Sequence, residues 1–478
     1  MKRLIALVLA GACVVTAGCR SAETRPVAAP STGAAATSAD SAAPGGNGEG
    51  LARFDFRKVV RKAKDEVFPA VVYIKCIRET LEVGKKSSTE VSGSGVIISP
   101  AGEILTNWHV VEKAIEVRCL LYDGRAMDAR VVGSDKDTDL ALLALNVPQG
   151  GGPLPHARLG DSDALKEGDF VMAMGAPWGL SRSVSIGIIS CTRRFLPEHS
   201  EYSLWLQTDA SISPGNSGGP LVNTDGEVVG INTRAVMYGG DMGFAIPSAT
   251  IRHIVAQIRE SGKVNWSWTG LQLQALKDFD RNTYFDGDEG VIVSETDPES
   301  PARTAGVLAR DRIVRIGGAS VTAMTEENLP AVRRTLGLLP KHQPVEIQFL
   351  RQGETLTCQL TPREKGRVEG EELDCPRWDF TVKQINQFDN PELYFHRKAG
   401  VFIFGIRDPG NADNAGLHAK DIILKIGPKE VATLDDIKAI HAEALANVTE
   451  EYRVLLTVLR NGLMRQVVLD FSRDYEKE

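Results

Sequence analysis

The chain has 478 residues, 42% hydrophobic and 24% charged. These values exclude a wholly disordered or collagen-like polymer and, at roughly 150 residues per domain, point to about three domains. Its 55 basic and 62 acidic residues leave a net charge of −7, and no basic tract is present to grip phosphates, which argues against a nucleic-acid partner. Seven cysteines are too few and too scattered for a disulfide-stapled mini-protein.

The chain opens with Lys2 and Arg3, then an apolar run from Leu4 to Ala17 that ends in small residues. That run is short for a membrane span and reads as a secretory signal over residues 1–18. Thr16-Ala17-Gly18-Cys19 resembles a bacterial lipobox, with Thr16 where leucine is usual. The resemblance implies an acylated Cys19 as the mature N-terminus and a lipid anchor in a membrane. A plain signal peptide with an incidental cysteine is the alternative. Residues 19–50 are mostly Ala, Ser, Thr, Pro and Gly and cannot bury enough surface to offset the entropy of ordering, so they read as a disordered tether. A coil of that length reaches about 30 Å. Export implies an oxidising compartment, yet Cys76, Cys119, Cys191, Cys358 and Cys375 are odd in number; at least one is unpaired within the chain, and no disulfide is assigned.

Over residues 51–262, short β-branched runs such as Val71-Val72-Tyr73-Ile74 and Val228-Val229-Gly230-Ile231 alternate with Gly, Asp, Asn and Pro turns. Many short strands at turn-rich spacing predict a barrel or sandwich. Helix is expected only at the ends, Arg57 to Val67 and Ser248 to Ser261. Three polar positions invite nucleophilic chemistry. In Gly215-Asn216-Ser217-Gly218-Gly219-Pro220 small residues let substrate reach the Ser217 hydroxyl, and the Gly215 and Ser217 amides can point at one spot as an oxyanion hole within Gly215, Asn216 and Ser217. A serine needs a base, and His109 follows the apolar run Leu105-Thr106-Asn107. Asp139, opening Leu140-Ala141-Leu142-Leu143, can orient and charge-stabilise the imidazole. Asp137 is its rival; Asp139 is preferred because it abuts the apolar strand. The order His, Asp, Ser is that of chymotrypsin-type barrels.

Here the sequence resembles a known family. Ser92-Gly93-Ser94-Gly95-Val96-Ile97-Ile98, Leu105-Thr106-Asn107-Trp108-His109-Val110, Asp139-Leu140-Ala141-Leu142 and Thr208-Asp209-Ala210 look like the HtrA (Deg) serine proteases. So do Ser213-Pro214-Gly215-Asn216-Ser217-Gly218-Gly219-Pro220-Leu221-Val222 and Gly243-Phe244-Ala245-Ile246-Pro247. The resemblance implies His109 as general base, Asp139 as its orienting carboxylate, Ser217 as nucleophile and the Gly215–Ser217 amides as oxyanion hole. It also implies a homotrimer or higher oligomer built through the protease domains, with Phe54 and Phe56 as candidate contacts. Ser211, Ser213 and Trp178 depart from the family pattern and leave the specificity pocket open. The stretch Arg78 to Glu90, in the place of the family's regulatory loop, is short.

The remaining chain repeats at an offset of 110 residues: Gly290-Val291-Ile292-Val293 matches Gly400-Val401-Phe402-Ile403, and Asp311-Arg312-Ile313 matches Asp421-Ile422-Ile423. Each copy reads as strand, turn, short helix, then a strand reached through an Asp turn, and resembles a PDZ domain. The fold class expected is therefore an all-β double β-barrel (chymotrypsin-like) protease domain followed by two α+β PDZ domains, over 266–362 and 379–473, with 363–378 as linker. PDZ domains bind C-terminal peptides as an added strand. Gly270 and Leu271, in Thr269-Gly270-Leu271-Gln272-Leu273, stand at the carboxylate-binding loop of the first. The second has Phe380-Thr381-Val382 without the glycine, and serves either peptide binding or packing and assembly. No metal or nucleotide motif is present, so no cofactor is expected. The function expected is a periplasmic, lipid-anchored serine endopeptidase of the bacterial cell envelope that degrades unfolded or misfolded proteins. A chaperone-like binder or a PDZ scaffold with little proteolysis is the alternative.

Overall fold

The computed structural model describes residues 55–179, 182–197, 199–213, 215–236, 242–278 and 283–477. Cys19, Phe54, the signal and the tether lie outside the described residues.

Helix α1 (Phe56–Val67) starts at Asp55, whose side chain accepts the Arg57 amide, and buries Ala63 and Val67. Six strands follow: β1 (Val71–Thr80), β2 (Ser87–Ile97), β3 (Glu103–Asn107), β4 (Ala114–Leu120), β5 (Ala126–Asp135) and β6 (Leu140–Leu145). A single helical turn, α2 (Trp108–Val111), separates β3 from β4. The strands close into a barrel in the order β1-β2-β3-β6-β5-β4, all pairs antiparallel. The interior is the apolar face of each strand, with Ile74, Ile97, Leu105, Leu140 and Leu142 fully buried.

The second barrel uses β8 (Phe170–Gly175), β9 (Ser183–Arg194), β10 (Trp205–Thr208), β11 (Pro220–Asn223), β12 (Glu227–Val236) and β13 (Met242–Pro247), after the short β7 (Arg158–Leu159). Their order is β11-β8-β9-β10-β13-β12, and β12 pairs back with β11 to close the ring, while β7 adds to β12 in parallel. Helix α3 (Ser248–Ser261) ends at Gly262, whose φ of 73° makes the left-handed cap. Its buried face of Ile251, Ile254, Val255 and Ile258 packs on β5, β6, β12 and β13, so it clasps both barrels. Helix is thus where the sequence put it, apart from α2.

Two smaller modules follow. The first contains β14 (Ser267–Trp268), β15 (Leu271–Gln274), the two-residue β16 (Lys277–Asp278) and β17 (Thr283–Tyr284), then β18 (Val291–Thr296), β19 (Arg312–Ile316), β20 (Ala319–Ser320), β21 (Val345–Arg351), β22 (Glu354–Leu360) and β23 (Arg363–Glu364). Its main sheet runs β15-β18-β19-β21-β22, with helices α4 (Pro301–Thr304) and α5 (Leu329–Gly337). The second contains β24 (Glu372–Cys375), β25 (Phe380–Gln384), β26 (Val401–Ile406), β27 (Ile422–Ile426), β28 (Lys429–Glu430), β29 (Arg453–Arg460) and β30 (Leu463–Asp470), with α6 (Pro391–His396), α7 (Asn411–Asn414) and α8 (Leu434–Ala446). Its sheet runs β24-β25-β26-β27-β29-β30, the order of the first module with one strand added at the edge.

The segment 363–378 is not the bare linker its composition suggests. β23 pairs with β14, β24 pairs with β25, and Trp378 is fully buried in the second core. Cys76, Cys119, Cys191, Cys358 and Cys375 are free thiols. Burial pushes the Cys76 and Cys119 thiols up to about 12, so both stay protonated.

Candidate active site

His109 sits in α2, directly after β3 delivers the chain to the rim of the first barrel. Asp139 stands one residue before β6, the neighbour of β3 in the barrel, so sheet pairing brings the two together. The Asp139 backbone takes a left-handed φ of 55°, a conformation aspartate tolerates better than most residues. Its carbonyl accepts the Trp108 amide at 3.0 Å and Asn107 Nδ2 at 3.1 Å. Its carboxylate lies 2.9 Å from His109 Nδ1 through each oxygen, and Oδ1 also accepts the His109 amide at 3.1 Å. The Asp139 side chain is 7% exposed and that of His109 35%. The pair therefore has a buried anchoring end and an open working end.

Asp137 turns elsewhere. Its carboxylate takes Lys365 Nζ at 2.8 Å, while Asp139 is the aspartate that meets His109. Asp135, also buried, accepts the Thr138 amide and hydroxyl and Trp266 Nε1 at 3.0 Å, bracing the turn that carries Asp139.

Ser217 reaches the same place from the second barrel, on the turn before β11. Its carbonyl accepts the Ser94 amide of β2 at 2.8 Å, and its hydroxyl donates to the Thr233 carbonyl at 2.9 Å. The Thr233 hydroxyl donates to Asp139 Oδ2, so one residue of β12 touches both the serine and the aspartate. Among the described residues no hydrogen bond joins Ser217 to His109 in this resting arrangement.

The turn is held by close approach. Gly218 has a φ of 84°, and a Cβ there would run into the Ser94 carbonyl and the Thr106 hydroxyl, so only glycine fits. Ser94 Oγ donates to the Gly215 carbonyl at 2.6 Å and accepts the Ala176 amide at 2.8 Å. The Asn216 amide is spent on the Ser213 carbonyl at 2.9 Å and its side chain is buried. The Asn216 backbone amide, one of the expected oxyanion donors, is therefore engaged in this arrangement. The Gly215 and Ser217 amides have no partner among the described residues.

Three supporting residues escaped the sequence reading. Ser94 and Thr233 lie inside strands, each joined to the site by more than one hydrogen bond. Arg78 donates to the His109 carbonyl and, at 3.0 Å, to the Glu112 carbonyl, pinning the ends of α2 from β1. Only Ser94, within a quoted family segment, carried a sequence signal. Phe56, a candidate oligomer contact, lies 4.6 Å from the ring of Phe170. In the first module Gly270 has a φ of 72°, and a Cβ would strike the Ser300 side chain. Thr269, Gly270 and Leu271 border a cavity of about 430 Å³ whose other walls include Arg333, Leu336 and Gly337 of α5 and, from the second module, Phe388 and Tyr394.

Comparison with known proteins agrees with this geometry. The trypsin-like peptidase domain family matches residues 93–231 and the PDZ domain family matches residues 257–337. A probable periplasmic serine endoprotease, DegP-like, of Halomonas elongata is 35% identical over 391 residues, covering 80% of this chain and 79% of that protein. The periplasmic serine endoprotease DegP of Salmonella typhimurium is 32% identical over 362 residues, covering 75% and 73%. Among solved structures, the HtrA-type protease AlgW with decapeptide has a TM-score of 0.55 and 30% identity, covering 64% of this chain and 98% of that one. Fold and relatives together define a trypsin-like serine endopeptidase with a chymotrypsin-like double barrel and a PDZ domain. The chain belongs to the HtrA family, alongside the DegP-like endoproteases.

Proposed function

We propose that Ser217 is the nucleophile, His109 the general base and Asp139 its orienting carboxylate, in an endopeptidase that degrades unfolded or misfolded proteins of the cell envelope. The observation that carries this reading is the His109–Asp139 pair at 2.9 Å, with Thr233 joined to both Asp139 and Ser217. For reaction the Ser217 hydroxyl exchanges the Thr233 carbonyl for His109 Nε2. Its oxygen then bonds to the scissile carbonyl carbon while His109 takes the proton, and the Gly215 and Ser217 amides stabilise the oxyanion. His109 returns the proton to the leaving amine as the C–N bond breaks. Water, deprotonated by the same imidazole, hydrolyses the acyl-enzyme and regenerates Ser217.

An extended, unfolded chain suits both the cleft and the groove beside Gly270 and Leu271, where the first module takes C-terminal peptides. The repeat at an offset of 110 residues and the shared strand order support reading the second module as PDZ-type as well. Names of relatives support a periplasmic site of action, and family membership supports a homotrimer or higher oligomer. The lipobox-like sequence before Cys19 supports a lipid anchor, for which membrane partitioning of a Cys19→Ala variant is the test.

Titration with a serine-reactive phosphonate tests the triad. Covalent label on Ser217, lost in His109→Ala, is expected. Equal labelling of His109→Ala would count against the assigned base.

A further inference from the structure

The two C-terminal modules differ at one edge. In the first, the chain entering the sheet passes through β14, which pairs with β23, and among the described residues no strand lies on the α5-facing edge of β15. In the second, the entering chain folds back. β24 pairs antiparallel with β25 in the register Glu372↔Lys383, Leu373↔Val382, Asp374↔Thr381 and Cys375↔Phe380. Helix α8 lies over β24 as well as β25. The added strand thus occupies the position between edge strand and groove helix where an extended peptide is taken up. Its direction also fits, because its C-terminal residue, Cys375, stands opposite Phe380, the first residue of β25.

The side chains alternate as a bound strand requires. Cys375 is fully buried and Leu373 packs on the module's core. Glu372 meets Lys383 at 3.2 Å and Lys113 of the protease at 2.6 Å. Asp374 accepts the Lys86 amide, from the β1–β2 turn, at 3.2 Å. Where a ligand would end in a carboxylate, the chain instead runs on through the turn Pro376–Asp379, with Arg377 and Asp379 at φ of 66° and 57°. That turn is tied down. His441 of α8 bonds the Pro376 carbonyl at 2.8 Å, Trp378 packs edge-on to His441 at 4.7 Å, and Asp379 accepts the Asn411 amide at 2.9 Å.

We infer that Glu372–Cys375 is a built-in ligand of the second module, closing its groove to external C-terminal peptides and leaving the first groove as the open one. The inference rests on reading the second repeat as a PDZ-type module. It assigns β24 a binding role: an intramolecular occupant sits at high effective concentration, and an external peptide must displace it.

The test uses the full chain with Ser217→Ala, so that peptides survive, and an arrayed library of decapeptides with free carboxyl ends. A second chain adds Leu373→Asp and Cys375→Asp to remove the apolar anchors of β24. Calorimetry with the best binder of each chain is expected to show one more peptide per chain in the anchor variant than in its parent. An equal number overturns the inference. A parent that binds no peptide indicts the reading of the first groove, and the increment of one still decides this one. Amide exchange of the parent gives an answer independent of how the variant folds. Residues 372–375 are expected to exchange at least a hundredfold slower than coil, with or without saturating peptide. Coil-like exchange there, or deprotection on adding peptide, overturns the inference.

Discussion

At the scale of single residues, the site is a set of hydrogen bonds that each remove one freedom from a reacting group. Asp139 fixes the His109 ring through Nδ1 and the α2 backbone through the His109 amide, leaving Nε2 as the working nitrogen. Thr233 completes the carboxylate with a hydroxyl donor from the other barrel. Substituting Thr233→Val removes that donor while keeping the shape and the backbone carbonyl that Ser217 uses. A hydrogen bond to a buried charged group is worth about 1.5–3 kcal/mol, so kcat/KM is expected to fall roughly 10- to 100-fold with the fold retained. Unchanged kcat/KM would show that Asp139 needs no partner from β12. The residues proposed for catalysis could be picked out of the sequence because each lies in a short local motif. The choice between Asp137 and Asp139 needed a partner 228 positions from Asp137, namely Lys365, which no local pattern announces.

At the scale of elements, the turn between β5 and β6 carries both the carboxylate that pairs with His109 and the seat of the first module. Burial, with the Asp137 charge adding to it, pushes the Asp135 carboxyl up from 3.8 to about 6, against the opposing hydrogen bonds from Thr138 and Trp266. The folded chain therefore binds more protons than the unfolded chain between these values. By linkage, the contribution of Asp135 to stability is greatest below pH 4, declines as pH rises, and reaches its full penalty above 6. Asp135→Asn removes this titration, so denaturation midpoints at pH 4.5 and 7.5 should show a smaller loss, or a larger gain, across the window than in the parent. A difference on the order of 1–3 kcal/mol is expected; parallel slopes would mean that Asp135 does not titrate there.

The same scale shows where sequence reading stopped. The barrel strands are long enough to display β-branched, turn-bounded runs, and the two modules repeat visibly. β24 alternates Leu373 and Cys375 with Glu372 and Asp374 over four residues, too short a pattern to separate from the charged stretch around it. The glycine missing before β25 was legible, but its structural counterpart, a turn that lays β24 and β25 side by side, was not.

At the scale of the whole molecule, the modules are packed onto the protease at several points. Trp266 and Lys365 reach Asp135 and Asp137 beside the Asp139 turn. Thr381 donates to the Leu81 carbonyl at 2.5 Å, and Lys113, two residues after α2, meets Glu372. Gly405 lets the β1–β2 turn come close, since a Cβ there would strike the Glu82 carbonyl. These contacts join residues more than a hundred positions apart and hold the His109–Asp139 framework against the two C-terminal modules.

The proposed role of this framework is to cleave peptide bonds through Ser217. The most direct test compares the chain with its Ser217→Ala variant on an unfolded model protein near neutral pH, following peptide release. Cleavage by the parent and a loss of about 10⁴-fold or more in the variant are predicted. Equal peptide release by both chains would contradict the claim and place the chemistry elsewhere.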